Sequence, residues 1–362
     1  MTELLQPYAS DREADRRARE WLGNLDHQSA VGSRHHIVPR FLLARFASPD
    51  QQLMVRRRSD GKASTRKIND LAVRDFYTAV TISSEFDSTL ESIFSVLEGG
   101  AAEVFRRHLD ARAFARARSF TAEERATIDA FVATQAVRGT RVRRSLELIA
   151  DYTIKLLNQD KVTGDDIQNT SFVPHPNEHL KIIGVLAERA EETLRSRATC
   201  LLHIDEPLLI IGDEPVLIDH DEFAADTLKE PPAVDGNLVL IGGGQGFAKA
   251  EAIMLPVSSS AVLMYGPPEE PALPYEVRLT GANAHSFASE VNQLTTSSAI
   301  EWIAAHPEHP EFDSLSITTP RALLTVHDYG SPIAAHVNST SARRPIRRLR
   351  RTDLLEARPP HT

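Results

Sequence analysis

Cysteine is almost missing from this chain: Cys200 is the only one in 362 residues. A disulfide framework and a cysteine-based zinc site are therefore excluded, and a reducing, cytoplasmic setting is expected. Long apolar runs are missing too. None approaches the roughly 20 residues that cross a bilayer, so no membrane partner is expected. The N-terminus lacks a basic stretch followed by an apolar core, so no signal peptide is read. Positive charge is in the minority: 41 Lys and Arg against 50 Asp and Glu leave a net −9. That balance argues against a protein that coats nucleic acid with its whole surface. No Gly-Lys-Ser/Thr phosphate loop and no Gly-x-Ser-x-Gly nucleophile elbow occurs, and no complete catalytic signature is present.

The length allows one large domain or two ordinary ones. Residues 1–33 read as a polar N-terminal extension with a short charged helix over 11–25. Residues 34–305 read as a single α+β globular domain, and 306–362 as an extended region with an arginine-rich tail. The N-terminal half is mainly helical with a short hairpin. Residues 52–56 are a strand, and Asp60-Gly61 supplies the positive φ values of a tight turn. Phe86, Leu90, Ile93, Phe94 and Leu97 form a helical stripe that buries one face. Thr121-Ala122-Glu123-Glu124 is a capping box opening a long helix, whose later part, residues 138–144, is basic. Another helix is expected over 177–195.

The texture then changes to short strand-like runs at 200–204, 208–213, 238–241 and 253–265, before a closing helix over 282–305. Helices first and strands after indicate α+β, with an antiparallel or mixed sheet in the C-terminal half. The glycines between Gly242 and Gly246 imitate a dinucleotide loop. The short interval to Ile253 leaves no room for the helix that loop requires, so they read as a loop. Cys200, beside an apolar run, reads as an inert core residue. His306 and His309, each followed by proline, read as a surface loop.

The stretch His35-His36-Ile37-Val38-Pro39-Arg40-Phe41-Leu42-Leu43-Ala44-Arg45-Phe46 invites a chemical reading. It sets two imidazoles and two arginines among core-like residues, and histidine is both the commonest metal ligand and the side chain most easily moved across neutral pH. If the two histidines alternate, His35 faces solvent. Pro39 fixes φ and locks entry to a helical turn over 41–46. Asp213 ends the apolar run 208–211, where a strand delivers a carboxylate to an edge, although Asp-x-Pro also builds turns. Glu98, before Gly99-Gly100, also fits the solvated end of a helix. Gln135 and Arg138 lie one turn apart beside apolar Phe131 and Val132. A core-facing arginine there requires a carboxylate, with Asp213 or Glu98 the natural partner, or an anionic ligand.

The His-Ile-x-Pro run resembles the start of the ββα finger of HNH-type metal-dependent nucleases. That resemblance implies His36 as general base, His35 as metal ligand and Asn69 as the residue orienting the base. No His-x-x-x-His pair is read after it at ligand spacing. A longer resemblance is to the bacterial domain of unknown function 4238. It is carried by His36-x-x-Pro39-x-x-x-Leu43-x-x-Phe46, by Asp75-Phe76-Tyr77-Thr78, by Glu98 closing the next helix, and by Gln135-x-x-Arg138. Ile211-Gly212-Asp213-Glu214-Pro215-Val216 and Leu255-Pro256-Val257-Ser258 continue it. That family implies a single fold and no reaction.

The functional expectation is a metal-assisted hydrolase acting on phosphodiester bonds. His36, Glu98 and Asp213 would be its catalytic groups, and His35, His36 and Asp213 would hold a divalent Mg, Mn or Zn ion. Arg45, Gln135 and Arg138 would bind substrate. The alternative is a non-catalytic anion- or peptide-binding accessory protein of a bacterial operon. Six arginines between Arg343 and Arg351 read either as a solvated tail or as an arm for nucleic acid or an acidic partner.

Overall fold

The computed structural model describes residues 34–71, 73–74, 76–77, 79–80, 86–87, 89–109, 119–172, 174, 176–219, 241–242, 247–268, 273–317, 322–326 and 330–340. The expected helix over 11–25, most of the glycine loop and the arginine run between Arg343 and Arg351 lie outside these residues.

Strand β1 (Arg34–His35) enters the fold, and Pro39 then opens helix α1 (Arg40–Ala44). The Pro39 carbonyl accepts from the amides of Leu42 and Leu43. Proline cannot donate an amide here, and at a helix start none is needed. Strands β2 (Gln52–Arg57) and β3 (Ala63–Lys67) form the expected antiparallel hairpin. Gly61 takes φ +65° at its tip, and Asp60 accepts the Lys62 amide at 3.0 Å. A 3-10 turn (Ile68–Leu71) and the short strands β4 (Val73–Arg74), β5 (Ala79–Val80) and β6 (Phe86–Asp87) follow.

Helix α2 (Thr89–Leu109) runs straight through Gly99-Gly100, so Glu98 lies mid-helix and does not close it. Helix α3 (Ala122–Val137) begins at the Thr121–Glu124 capping box, with both reciprocal bonds formed. The basic stretch expected to continue this helix instead starts a new one, because the chain breaks at Arg138-Gly139 before α4 (Thr140–Leu157). Helices α5 (Gly164–Asn169) and α6 (Pro176–Arg195) complete the helical half. Helix α3 packs along both α2 and α6, burying Phe94, Phe105, Phe131, Ile183 and Leu194.

The C-terminal half supplies β7 (Thr199–Ile204), β8 (Ile211–Gly212), β9 (Leu217–Asp219), β10 (Ile241–Gly242), β11 (Ala252–Ser258), β12 (Ala261–Tyr265) and β13 (Glu276–Leu279). A five-stranded mixed sheet has the order β13-β7-β12-β11-β9, with only the β13–β7 pair parallel. Helix α7 (Gly281–Ser298) stops before Ile300. The expected closing helix over 282–305 is thus shortened, because residues 302–305 form strand β14 (Trp302–Ala305). That strand pairs with β2 and β8, giving a second sheet of order β3-β2-β14-β8. Pairing with the distant hairpin satisfies its backbone, and a local helical pattern cannot report that.

Arg125 joins the two halves. It donates to Asp129 on its own helix, to the Leu194 and Arg197 carbonyls and to Thr199 Oγ1, while Tyr265 donates to the same Asp129. The fold is therefore α+β, helical first and sheet-rich after. Beyond residue 305 the chain keeps packing. His309 is buried against the Leu208 carbonyl at 2.8 Å, which corrects its reading as surface loop. Helix α8 (Pro332–Thr340) buries Ile333 and Val337 against Leu148 and Tyr152. Among the described residues no helix is long and apolar enough to cross a membrane.

Candidate functional site

One group of buried polar side chains gathers around the break between α3 and α4. Arg138, the C-cap of α3, is only 2% exposed. Its Nη1 meets Glu98 Oε1 from α2 at 2.8 Å, and its guanidinium carbon lies 4.9 Å from the centroid of the Phe94 ring. Of the two partners expected for Arg138, Glu98 is the one it meets. Among the described residues Nε and Nη2, the side edge of the same guanidinium, have no hydrogen-bond partner. One turn back, Gln135 is 1% exposed. Its Nε2 donates to the Ile37 carbonyl at 2.9 Å, while its Oε1 has no donor among the described residues. Residues three apart on a helix share a face. Gln135 and Arg138 therefore share one face of α3, and among the described residues each has polar atoms without a partner.

Tyr77 links this face to the chain's opening motif. Its hydroxyl donates to the Arg138 carbonyl at 3.3 Å, and its amide donates to His35 Nδ1 at 2.9 Å. Its ring meets Phe94 edge-on and stacks on His35. Burial pushes the Tyr77 hydroxyl far above its usual range, so it stays a neutral donor. His35 is fully buried and His36 half-buried, which reverses the expected solvent-facing His35. With Nδ1 accepting, the imidazole of His35 carries its proton on Nε2.

Glu91, two turns before Glu98 on α2, feels the same guanidinium. Burial raises its carboxyl to about 7, with Arg138 opposing and Glu98 reinforcing that shift. Across the break, Glu214 takes the N-terminus of α4. Gly139 is the N-cap there without a side chain of its own, and Glu214 Oε1 accepts the Arg141 amide at 2.6 Å. Asp213 beside it accepts the amides of Ile300 at 2.8 Å and Glu301 at 2.7 Å, one on each oxygen. Burial holds both carboxyls above their usual range, reinforced at Glu214 by the neighbouring Asp213 and at Asp213 by Glu301.

A family model described as a protein of unknown function (DUF4238) matches residues 34–309, a span that contains every one of these groups. The chain belongs to the DUF4238 family. No curated protein and no solved structure matches it.

In this DUF4238 protein the described contacts join Glu98 to Arg138 and tie Arg138 to His35 through Tyr77, while Gln135, one turn back on α3, bonds the Ile37 carbonyl. Arg45 is the C-cap of α1, and its carbonyl accepts the Ser259 amide. Asn69 is exposed on the 3-10 turn. Asp213 clasps the segment before β14 instead of turning on its own backbone. The donor set His35, His36 and Asp213 does not fit a metal ion as arranged. Among the described residues no three His, Cys, Asp or Glu side chains are grouped to hold one. His35 Nδ1 and both Asp213 oxygens are already taken by backbone amides. Burial pushes the Cys200 thiol up to about 11, consistent with an inert core residue.

One group was overlooked in the sequence. His179 lies in the first turn of α6, 4% exposed, with both ring nitrogens unpartnered among the described residues. The sequence does contain a histidine pair four apart, His175 and His179, which is the signal that could have found it. His175 lies outside the described residues.

Proposed function

We propose that this DUF4238 protein is an anion-binding protein whose receptor is the side edge of Arg138, the non-catalytic member of the two functions expected from the sequence. The observation that carries this reading is the open Nε and Nη2 pair on a guanidinium 2% exposed. A buried donor without an acceptor costs about 1–3 kcal/mol. The Nε–Nη2 edge is one of the faces that grip a carboxylate or phosphate with two parallel hydrogen bonds. Glu98 balances the guanidinium charge through Nη1. The open Gln135 Oε1 selects, among anions, those that also carry a hydroxyl or amino donor.

The test is calorimetric titration with inorganic phosphate and with sulfate. Hydrogen phosphate keeps a P–OH donor near neutral pH and sulfate has none. Phosphate is expected to bind at least tenfold more tightly than sulfate at this site. Arg138→Lys, which keeps the charge and loses the fork, removes that binding event, and Gln135→Leu closes the gap between the two anions. Phosphate binding that is identical in Arg138→Lys and the parent protein sinks the reading.

A catalytic version of the same site has one observation in its favour. Glu91, raised to about 7, lies in the range where a carboxyl serves as general acid near neutral pH. Hydrolysis of a phosphodiester bound at Arg138 is then the reaction class, and the arginines between Arg343 and Arg351 supply affinity for nucleic acid. Salt-dependent release of a nucleotide product, lost in Glu91→Gln, would separate this version from binding alone.

A further inference from the structure

A second cluster of buried cations lies on α4, on the other flank of the Phe76–Tyr77 corner. The Arg143 guanidinium covers the Phe76 ring at 4.9 Å, and its Nη1 donates to the Phe76 carbonyl at 3.4 Å. Its Nε is 3.7 Å from Glu147. Arg144 bonds the same Glu147 at 2.6 Å through Nη1, and its Nε and Nη2 have no partner among the described residues. One carboxylate thus serves two guanidinium groups among the described residues, leaving a surplus positive charge in a place shielded from water. A buried surplus charge is unfavourable unless a counter-ion joins it.

His179 approaches the same Phe76 ring edge-on, with centroids 5.8 Å apart. It is 4% exposed, and among the described residues neither ring nitrogen has a partner. Burial and the positive charge of Arg143 keep this imidazole neutral, at about 3. Arg143 is the charged group among the described residues that acts on it. A metal cation is repelled by that guanidinium, whereas an anion is drawn in. The imidazole can then give an N–H to the anion, or take up a proton beside it.

We infer that His179, Arg143 and Arg144 form a second anion subsite, separate from Arg138, suited to a phosphate-class dianion. The surplus guanidinium charge balances one negative charge of such a group. Protonation of His179 in its presence balances the other. The subsite does not depend on Arg138, so the two can fail independently.

The full chain, labelled with ¹⁵N, is titrated with inorganic phosphate while the histidine ring nitrogens are followed by NMR, with His179→Asn assigning the resonances. Calorimetry on the same samples gives the stoichiometry. Two phosphates per chain are expected, with the His179 ring nitrogens shifting toward the protonated pattern as phosphate saturates. His179→Phe weakens one equivalent at least tenfold, and Arg138→Lys abolishes the other. Ring resonances of His179 that stay in place at saturating phosphate overturn the subsite, and that measurement needs no variant. A single equivalent lost only in Arg138→Lys overturns the subsite and leaves the Arg138 receptor standing. A single equivalent lost only in His179→Phe does the reverse.

Discussion

The carboxylate of Glu214 closes directly over Gly139: a Cβ added to that glycine would lie 2.6 Å from Oε2 and 2.9 Å from Oε1. Gly139 has ordinary extended backbone angles, φ −74° and ψ 179°. Space, and not a left-handed conformation, is what demands glycine here. The close approach lets a distant acidic side chain satisfy the first amides of α4, where opposite charge also complements the helix dipole. It breaks the α3–α4 run at the point that leaves Arg138 facing Glu98.

Gly139→Ala is therefore expected to destabilise the protein by about 1–3 kcal/mol, the usual range for forcing a methyl into a filled interior. Glu214→Ala alone removes the cap, which is worth about 0.5–2 kcal/mol. Added to Glu214→Ala, the alanine at 139 should cost much less than in the parent protein, because its methyl now has room. Urea unfolding of the two single variants and the double variant gives this coupling. Strictly additive losses would show that the contact does not act as described.

Asp213→Asn tests the clasp that holds the segment before β14. Both oxygens accept backbone amides. An asparagine sets an N–H against one of those N–H groups, at about 1–3 kcal/mol for the unsatisfied donor. The loss should be local. Hydrogen exchange at the Ile300 and Glu301 amides is expected to rise well before that of the β7–β12 pair. Unchanged protection at those two amides would count against the clasp.

Where the deciding interactions are local, the chain announced its structure. The Asp60-Gly61 turn, the Thr121–Glu124 capping box and the apolar stripe of α2 each lie within a few residues of what they specify. Where partners come from afar, it did not. Ile300 and Trp302 look like the end of a helix, yet Trp302 pairs across a sheet with Arg57. Glu98 looks like a helix end beside two glycines, yet α2 continues because Ala101, Val104 and Phe105 bury the next turns. Gln135 and Arg138 were legible as a polar pair on an apolar helix, since their burial demanded partners. Tyr77 as the link between them and His35 was not, because its three contacts come from three separated segments. His179 owes its isolation to Phe76 and Arg143, both remote in sequence.

The pH dependence of stability should carry two opposed signatures. His179 is held neutral down to about 3 and titrates near 6.5 when unfolded. Between those values the unfolded chain binds more protons, so stability falls as pH drops, by up to about 1.4 kcal/mol per pH unit for one proton. Glu91 works in the opposite sense. Its folded carboxyl is raised to about 7 from 4.5, so the folded chain binds more protons in that window. Its contribution is present at low pH and lost as pH rises through about 7. Between 4.5 and 6.5 the two oppose each other, and below 4.5 only the histidine of this pair still titrates. The raised carboxyls of Asp213 and Glu214 act in the same sense as Glu91, equally in the parent and in both variants. His179→Asn should flatten the acid limb below pH 4.5, and Glu91→Gln should flatten the decline toward pH 7. A constant offset from altered packing shifts either curve without changing its slope. Denaturant titrations at half-unit pH steps on the three proteins measure these slopes, and an acid limb equally steep in His179→Asn would show that His179 is not the group being protonated.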